Sequence, residues 1–157
     1  MRRTFYASAV ALLLALSMVA LATPLTTHNC TLNGSQQSRS AGQLNLTLDS
    51  TGDITGTFTL TIQYDAAGVI NTGHWELNAG QNNESGAATP TGTLTGQVTA
   101  GTLTLNQHDS AVSLSGVQLS VTEGAGSFQG SSGSGQLTLT SSDQSINALT
   151  GTVSLNF

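Results

Sequence analysis

Between residues 54 and 64 the chain repeats with a period of two: Ile54, Gly56, Phe58, Leu60, Ile62 and Tyr64 fall on one side, Thr55, Thr57, Thr59, Thr61 and Gln63 on the other. Successive side chains of an extended strand point to opposite faces, whereas helical winding would scatter this set around the axis. The segment therefore reads as a strand with one buried and one solvated face. Leu44, Leu46 and Leu48 alternate in the same way with Asn45, Thr47 and Asp49. Ser50, Thr51, Gly52 and Asp53 separate these runs with residues that reverse a chain at low cost, and residues 65–68 do the same before a third strand over 69–78. There Asn71, Gly73, Trp75 and Leu77 share a face.

Residues 79–91 read as an exposed loop containing Pro90, after which the pattern resumes with Leu94, Gly96 and Val98, then Leu103 and Leu105. Over residues 111–122 the parity changes: Val112, Leu114 and Gly116 give way to Val117, Leu119 and Val121. They keep one face only if an extra residue is absorbed, and a glycine inside a strand often marks such a bulge, so one is expected near Gly116. Residues 124–135 form a Gly/Ser-rich connection with a short strand expected around Phe128, and the last strands cover 136–140 and 148–157. A hairpin-opening unit recurs as Gly42-Gln43-Leu44, Gly101-Thr102-Leu103 and Gly135-Gln136-Leu137. No helical periodicity follows residue 22. The expected fold is all-β: an antiparallel meander of about eight strands, closed or nearly closed into a barrel, with a β-sandwich as the alternative. Gly56, Gly96, Gly116 and Gly151 favour the barrel, because closure demands tight coiling. A β-solenoid would need a more regular repeat.

Residues 1–22 have a different character. Arg2 and Arg3 precede an apolar run that ends in Ala20-Leu21-Ala22, the order of a secretory signal peptide. The exported part is then one all-β domain over residues 23–157, with 23–42 expected to be a flexible N-terminal segment. Its expected location is extracellular or at the cell surface, with the bacterial outer membrane as the alternative, since Val153, Leu155 and the final Phe157 resemble the last strand of outer-membrane barrels. After residue 22 only Arg39 is basic, against all eight carboxylates of the chain, and lysine is absent. That composition excludes nucleic acid and anionic membrane surfaces as partners, both of which require clustered positive charge, and it excludes a phosphate loop that ends in lysine. Charged residues are 7% of the chain and hydrophobic ones 38%, so the surface must be built mainly from Thr, Ser, Asn, Gln and Gly. Cys30 is the single cysteine, which rules out an internal disulfide and leaves it either a small residue near a mobile terminus or a bridge between two copies.

Chemistry is sparse. The string from Asp49 to Phe58, with Ile54-Thr55-Gly56-Thr57-Phe58 at its end, resembles the turn and strand of avidin-type barrels. Those proteins line a biotin pocket with several tryptophans; this chain has Trp75 alone, so the resemblance implies a barrel hairpin without biotin binding. Strand geometry sends Trp75 to one face and His74 with Glu76 to the other, so the three do not form one site. His28, His74 and His108 match no metal-ligand spacing, G-x-S-x-G is absent, and no carboxylates are paired for acid and base work. Asn29, Asn33, Asn45 and Asn83 begin glycosylation sequons, which a chain this rich in Asn, Ser and Thr produces by chance. No cofactor, metal or catalytic group is expected. The ligand-binding candidates are Trp75, Tyr64 and the ladder Thr55, Thr57, Thr59 and Thr61. The function expected is that of an exported, non-catalytic β-protein that binds an extracellular or cell-surface ligand or forms part of a surface matrix, and that self-associates, if at all, through Cys30 or strand edges. A small outer-membrane barrel and a lipocalin- or avidin-like carrier are the alternatives. Mass spectrometry of the mature protein recovered from culture fluid is expected to place its first residue at or next to Thr23; recovery in the detergent-resistant membrane fraction would contradict that.

Overall fold

A computed structural model describes residues 24–80, 90–105, 111–141 and 148–157. Residues 1–22, read from the sequence as a signal peptide, lie outside the described residues. Eight strands follow in chain order: β1 Thr27–Ser40, β2 Gln43–Gly52, β3 Gly56–Tyr64, β4 Ile70–Ala79, β5 Gly92–Leu105, β6 Val112–Gly126, β7 Gly133–Ser141 and β8 Leu149–Asn156. Each pairs antiparallel with its neighbour in sequence, and β1 pairs with β8 to close the barrel. The sheet has no free edge, and no helix occurs among the described residues. Closure decides for the barrel over the sandwich.

The alternation works as the residue types demand. Leu44, Leu46 and Leu48 of β2, Phe58, Leu60 and Ile62 of β3, and Trp75 and Leu77 of β4 all point inward and are 0–2% exposed. An eight-stranded barrel has an interior just wide enough for its own side chains to fill. Their hydroxyl- and amide-bearing neighbours lie on the outer face, from Thr47 and Thr59 to Thr138 and Thr152.

Trp75 is the largest side chain inside, and the fold is built around it. It sits on β4 opposite Gly96 of β5, and its indole Nε1–H donates across that glycine to the Ser120 carbonyl of β6 at 3.1 Å. A Cβ on Gly96 would lie 1.7 Å from that carbonyl oxygen and 2.6 Å from Nε1. The indole also stacks on Phe58, with ring centroids 5.8 Å apart. Beside this contact the β5–β6 register shifts between Thr95 and Gly96. The strand accommodates the ring by a bulge, which increases local twist and helps a sheet curve.

Four local expectations meet the structure differently. The bulge near Gly116 is present: register shifts between Leu114 and Val117, and Gly116 has φ +60°. Most of the segment 23–42, expected to be flexible, is strand: residues 27–40 form β1, paired on both sides and closing the barrel. Phe128 is in no strand; it lies in the turn after β6, buried against Gly92 and Gly124 at one mouth of the barrel. Asn71 does not share the inward face, because the β3–β4 register shifts after Gln63 and Tyr64 pairs with Ile70, which takes the inward position instead.

Gly96 and Gly116 separate two costs of adding one methyl group. Gly96→Ala is expected to cost about 3 kcal/mol or more, at the upper end of overpacking, because backbone oxygen and indole both block the methyl. Gly116→Ala meets nothing within 4 Å, so only its left-handed backbone opposes it, at about 1–2 kcal/mol. Denaturant unfolding of the two variants checks the order.

Candidate functional site

Trp75 offers no platform to a ligand. It is fully buried, its donor is satisfied and its ring is covered by Phe58. Among the described residues the inward side chains form one core cluster, most of them at 0–2% exposure, which leaves little room for a ligand along the barrel axis. His74 is exposed and Glu76 half-buried on the opposite face, as strand parity requires. His28 is half-buried at one mouth, stacked on Phe157 with centroids 4.7 Å apart, and His108 lies outside the described residues. No metal-binding group of three or more ligands occurs among the described residues.

The threonine ladder is where the sequence puts it. Thr57 and Thr59 are half-buried and Thr61 exposed on the outer face of β3, and Thr55, also half-buried, lies just before the strand begins. Register extends the ladder sideways: Thr59 lies between Thr47 and Glu76, with Thr95 beyond, and Thr57 lies between Asp49 and Asn78, with Thr93 beyond. The polar groups of this carpet are partly spent on one another. Thr93 donates to the Asn78 side-chain oxygen at 3.1 Å, Asn45 donates to Ser38 at 2.8 Å, and Asn78 donates to the Glu76 carboxylate. Such ties orient several of the hydroxyls and amides on a face whose charged groups are the Asp49 and Glu76 carboxylates.

This sidedness is the reverse of a barrel that faces lipid, whose outer band must be apolar. The apolar set of this chain is inside and its outer face carries hydroxyls and amides. The C-terminal Val153 and Leu155 that suggested an outer-membrane strand are both buried in the core.

Tyr64 occupies the mouth opposite Phe128. Its half-buried ring packs on the core and its hydroxyl donates to the Ser40 carbonyl at 3.3 Å. Next to it the turn from β3 to β4 folds down on β5. Asp65 Oδ1 accepts from the backbone N–H groups of Ala67 and Val69, both at 2.9 Å. Leu103 N–H donates to the Gly68 carbonyl at 2.7 Å, and Val69 bridges to Thr102. Gly68 has φ +82°, and a Cβ there would lie 2.0 Å from the Leu103 carbonyl oxygen. Between turn and strand is an open cleft of about 300 Å³, lined by residues 64–68 and 103–105. Sequence reasoning singled out Tyr64 alone of these. The turn and the end of β5 are far apart along the chain, and no local pattern announces that they meet.

Cys30 is inside the barrel at 3% exposure, not near a mobile end. Neither expected route to self-association is available in this barrel, since the thiol is covered and the sheet has no edge. No protein-family model matches this chain, and no curated protein matches it.

Burial, the largest influence, pushes the Cys30 thiol above its ordinary value of 9.0, aided by the Asp53 charge and opposed by contacts with the Ile54 backbone and Ser50. The folded state therefore holds the thiol proton more tightly than the unfolded chain does. The stabilisation is complete below about pH 9 and is lost as pH rises through the folded value. Cys30→Ala is expected to flatten the alkaline limb of a stability-against-pH curve relative to wild type, and native wild type is expected to resist thiol reagents until unfolded. Fast labelling of the native protein at neutral pH would contradict both.

Proposed function

We propose that this chain is an exported, non-catalytic barrel that binds an uncharged, hydroxyl-rich polymer, a glycan of a cell surface or matrix, through the outer face of β2 to β5. The observation that carries this reading is the division of the molecule into a filled apolar interior and a carpet of oriented hydroxyls and amides. With the interior occupied, the work of recognition falls to the surface.

The carpet suits a repeating neutral ligand on three counts. Along a strand its same-face groups recur at about 7 Å, and between strands at about 5 Å, so donors and acceptors form a two-dimensional array. The threonine methyls add apolar contact beside each hydroxyl. Lysine is absent and Arg39 lies on β1, so a polyanion finds no cluster of positive charge on this face. A surface of this kind recognises by many weak contacts, and affinity grows when a long polymer engages several at once.

Co-sedimentation with insoluble neutral polysaccharides tests the reading. The triple variant Thr57→Lys, Thr59→Lys, Thr61→Lys places long charged side chains along the ladder without touching the core, and is expected to reduce the bound fraction at least about tenfold while thermal unfolding stays cooperative. A wild-type protein that stays in the supernatant with every neutral polymer tried, or a triple variant that binds unchanged, would overturn it.

A further inference from the structure

The cleft beside Tyr64 stands apart from the outer carpet, at the end of the barrel, and its chemistry is different. We propose that it is a binding site for a single neutral sugar unit, a pyranose, held between the Tyr64 ring, the Asp65 carboxylate and the Thr104 hydroxyl.

Size comes first. A volume of about 300 Å³ is at the lower bound of small-molecule pockets and suits a ligand of one ring. Composition comes next. The lining offers one aromatic ring, the partly buried side chain of Leu105, one carboxylate, one hydroxyl besides that of Tyr64, and no cationic side chain. A pyranose has a C–H face that packs on an aromatic or aliphatic wall and a rim of hydroxyls that need acceptors, so it matches both halves of that set. A phosphate or carboxylate ligand would meet Asp65 with nothing to offset the repulsion.

Rigidity is the third ground. Both Asp65 Oδ1 bonds come from the turn's own backbone, the turn is tied to β5 through Leu103 and Val69, and the Tyr64 hydroxyl is anchored on Ser40. The ring, the carboxylate and the strand end are thus held in place before any ligand arrives, which lowers the ordering cost of binding. Gly68 is what allows the turn to lie this close, since any side chain there would strike the Leu103 carbonyl.

The site uses none of the ladder residues, so its success or failure is separable from that of the outer face. Two-dimensional amide NMR of the folded protein, titrated with methyl glucoside, methyl galactoside, methyl mannoside and N-acetylglucosamine, reads the site directly. Glucose 6-phosphate and butylamine serve as anionic and cationic comparisons. At least one neutral pyranoside is expected to shift amides in residues 64–69 and 102–105, with a dissociation constant on the order of 1–10 mM. Thr104→Arg, which fills the cleft from an exposed position, is expected to weaken it at least about tenfold, and Tyr64→Phe to retain it. The Thr57, Thr59, Thr61 triple lysine variant is expected to titrate as wild type does. No amide shift with any pyranoside, shifts confined to other residues, tighter binding of butylamine than of every sugar, or an unchanged Thr104→Arg titration would each overturn the proposal.

Discussion

Everything in this fold depends on the ladder that joins the first strand to the last. Residues 27–34 of β1 pair in unbroken register with β8, from Thr27 opposite Asn156 to Gly34 opposite Leu149. Without that seam, β1 and β8 would each present a row of unpaired backbone groups, the template on which sheets aggregate. With it, every strand has two partners and the inward side chains are enclosed from all sides. β1 contributes little greasy mass of its own. Its inward residues include Cys30 and Leu32, and Gly34 then brings its backbone so close to Leu48 that a Cβ would clash at 2.9 Å. The strand is held by two ladders of backbone hydrogen bonds more than by what it buries.

Enclosure imposes a second constraint, because the interior has a fixed width and must be filled without overlap. Large and small inward residues answer one another across neighbouring strands: Trp75 opposite Gly96, Ile62 opposite Gly73, Leu155 opposite Gly135 and Leu139 opposite Gly151. A Cβ on Gly135 or Gly73 would approach the facing side chain to 2.6 and 2.9 Å. The glycines therefore act as sockets for their neighbours as well as points of curvature. The most demanding socket is also polar, since the indole N–H inside an apolar barrel requires an acceptor and finds it in the Ser120 carbonyl beside the β5–β6 irregularity.

Much of this was legible in the residues and some was not, for identifiable reasons. The hairpins of β2, β3 and β4 carry strong period-two signals with Leu, Ile and Phe, and the displaced parity around Gly116 disclosed its bulge. The strand β1 was illegible because its inward set, with His28, Cys30 and Gly34, contains a single large aliphatic residue, Leu32, so a hydrophobicity pattern has almost nothing to detect. Asn71 misled for the opposite reason: it keeps the correct parity with Gly73, yet the extra residue between Gln63 and Tyr64 pairings shifts Ile70 inward. Phe128 looked like a strand residue because it is a lone aromatic among glycines and serines. It caps a mouth from a turn, a role with no periodic signature. On the outer face the ladder Thr55 to Thr61 could be placed from sequence, but its lateral neighbours depend on register. The cleft depends on a turn meeting a strand some 35 residues away, Gly68 against Leu103.

The scarcity of charge becomes intelligible in this light. Solubility is ordinarily secured by charged side chains on the surface, and their flexible ends carry high conformational entropy that a ligand must quench. A surface of Thr, Ser, Asn and Gln surrenders less, because its side chains are short and, on this barrel, already bonded to one another, as Thr93 is to Asn78 and Asn45 to Ser38. Such a face is poor at attracting charged partners over distance and good at holding a fixed pattern at contact. That trade favours ligands which are themselves neutral and repetitive. It also explains the weight carried by the interior: with Arg39 the only basic residue after residue 22 and a single cysteine, stability rests on burying Leu, Ile, Val, Phe and Trp.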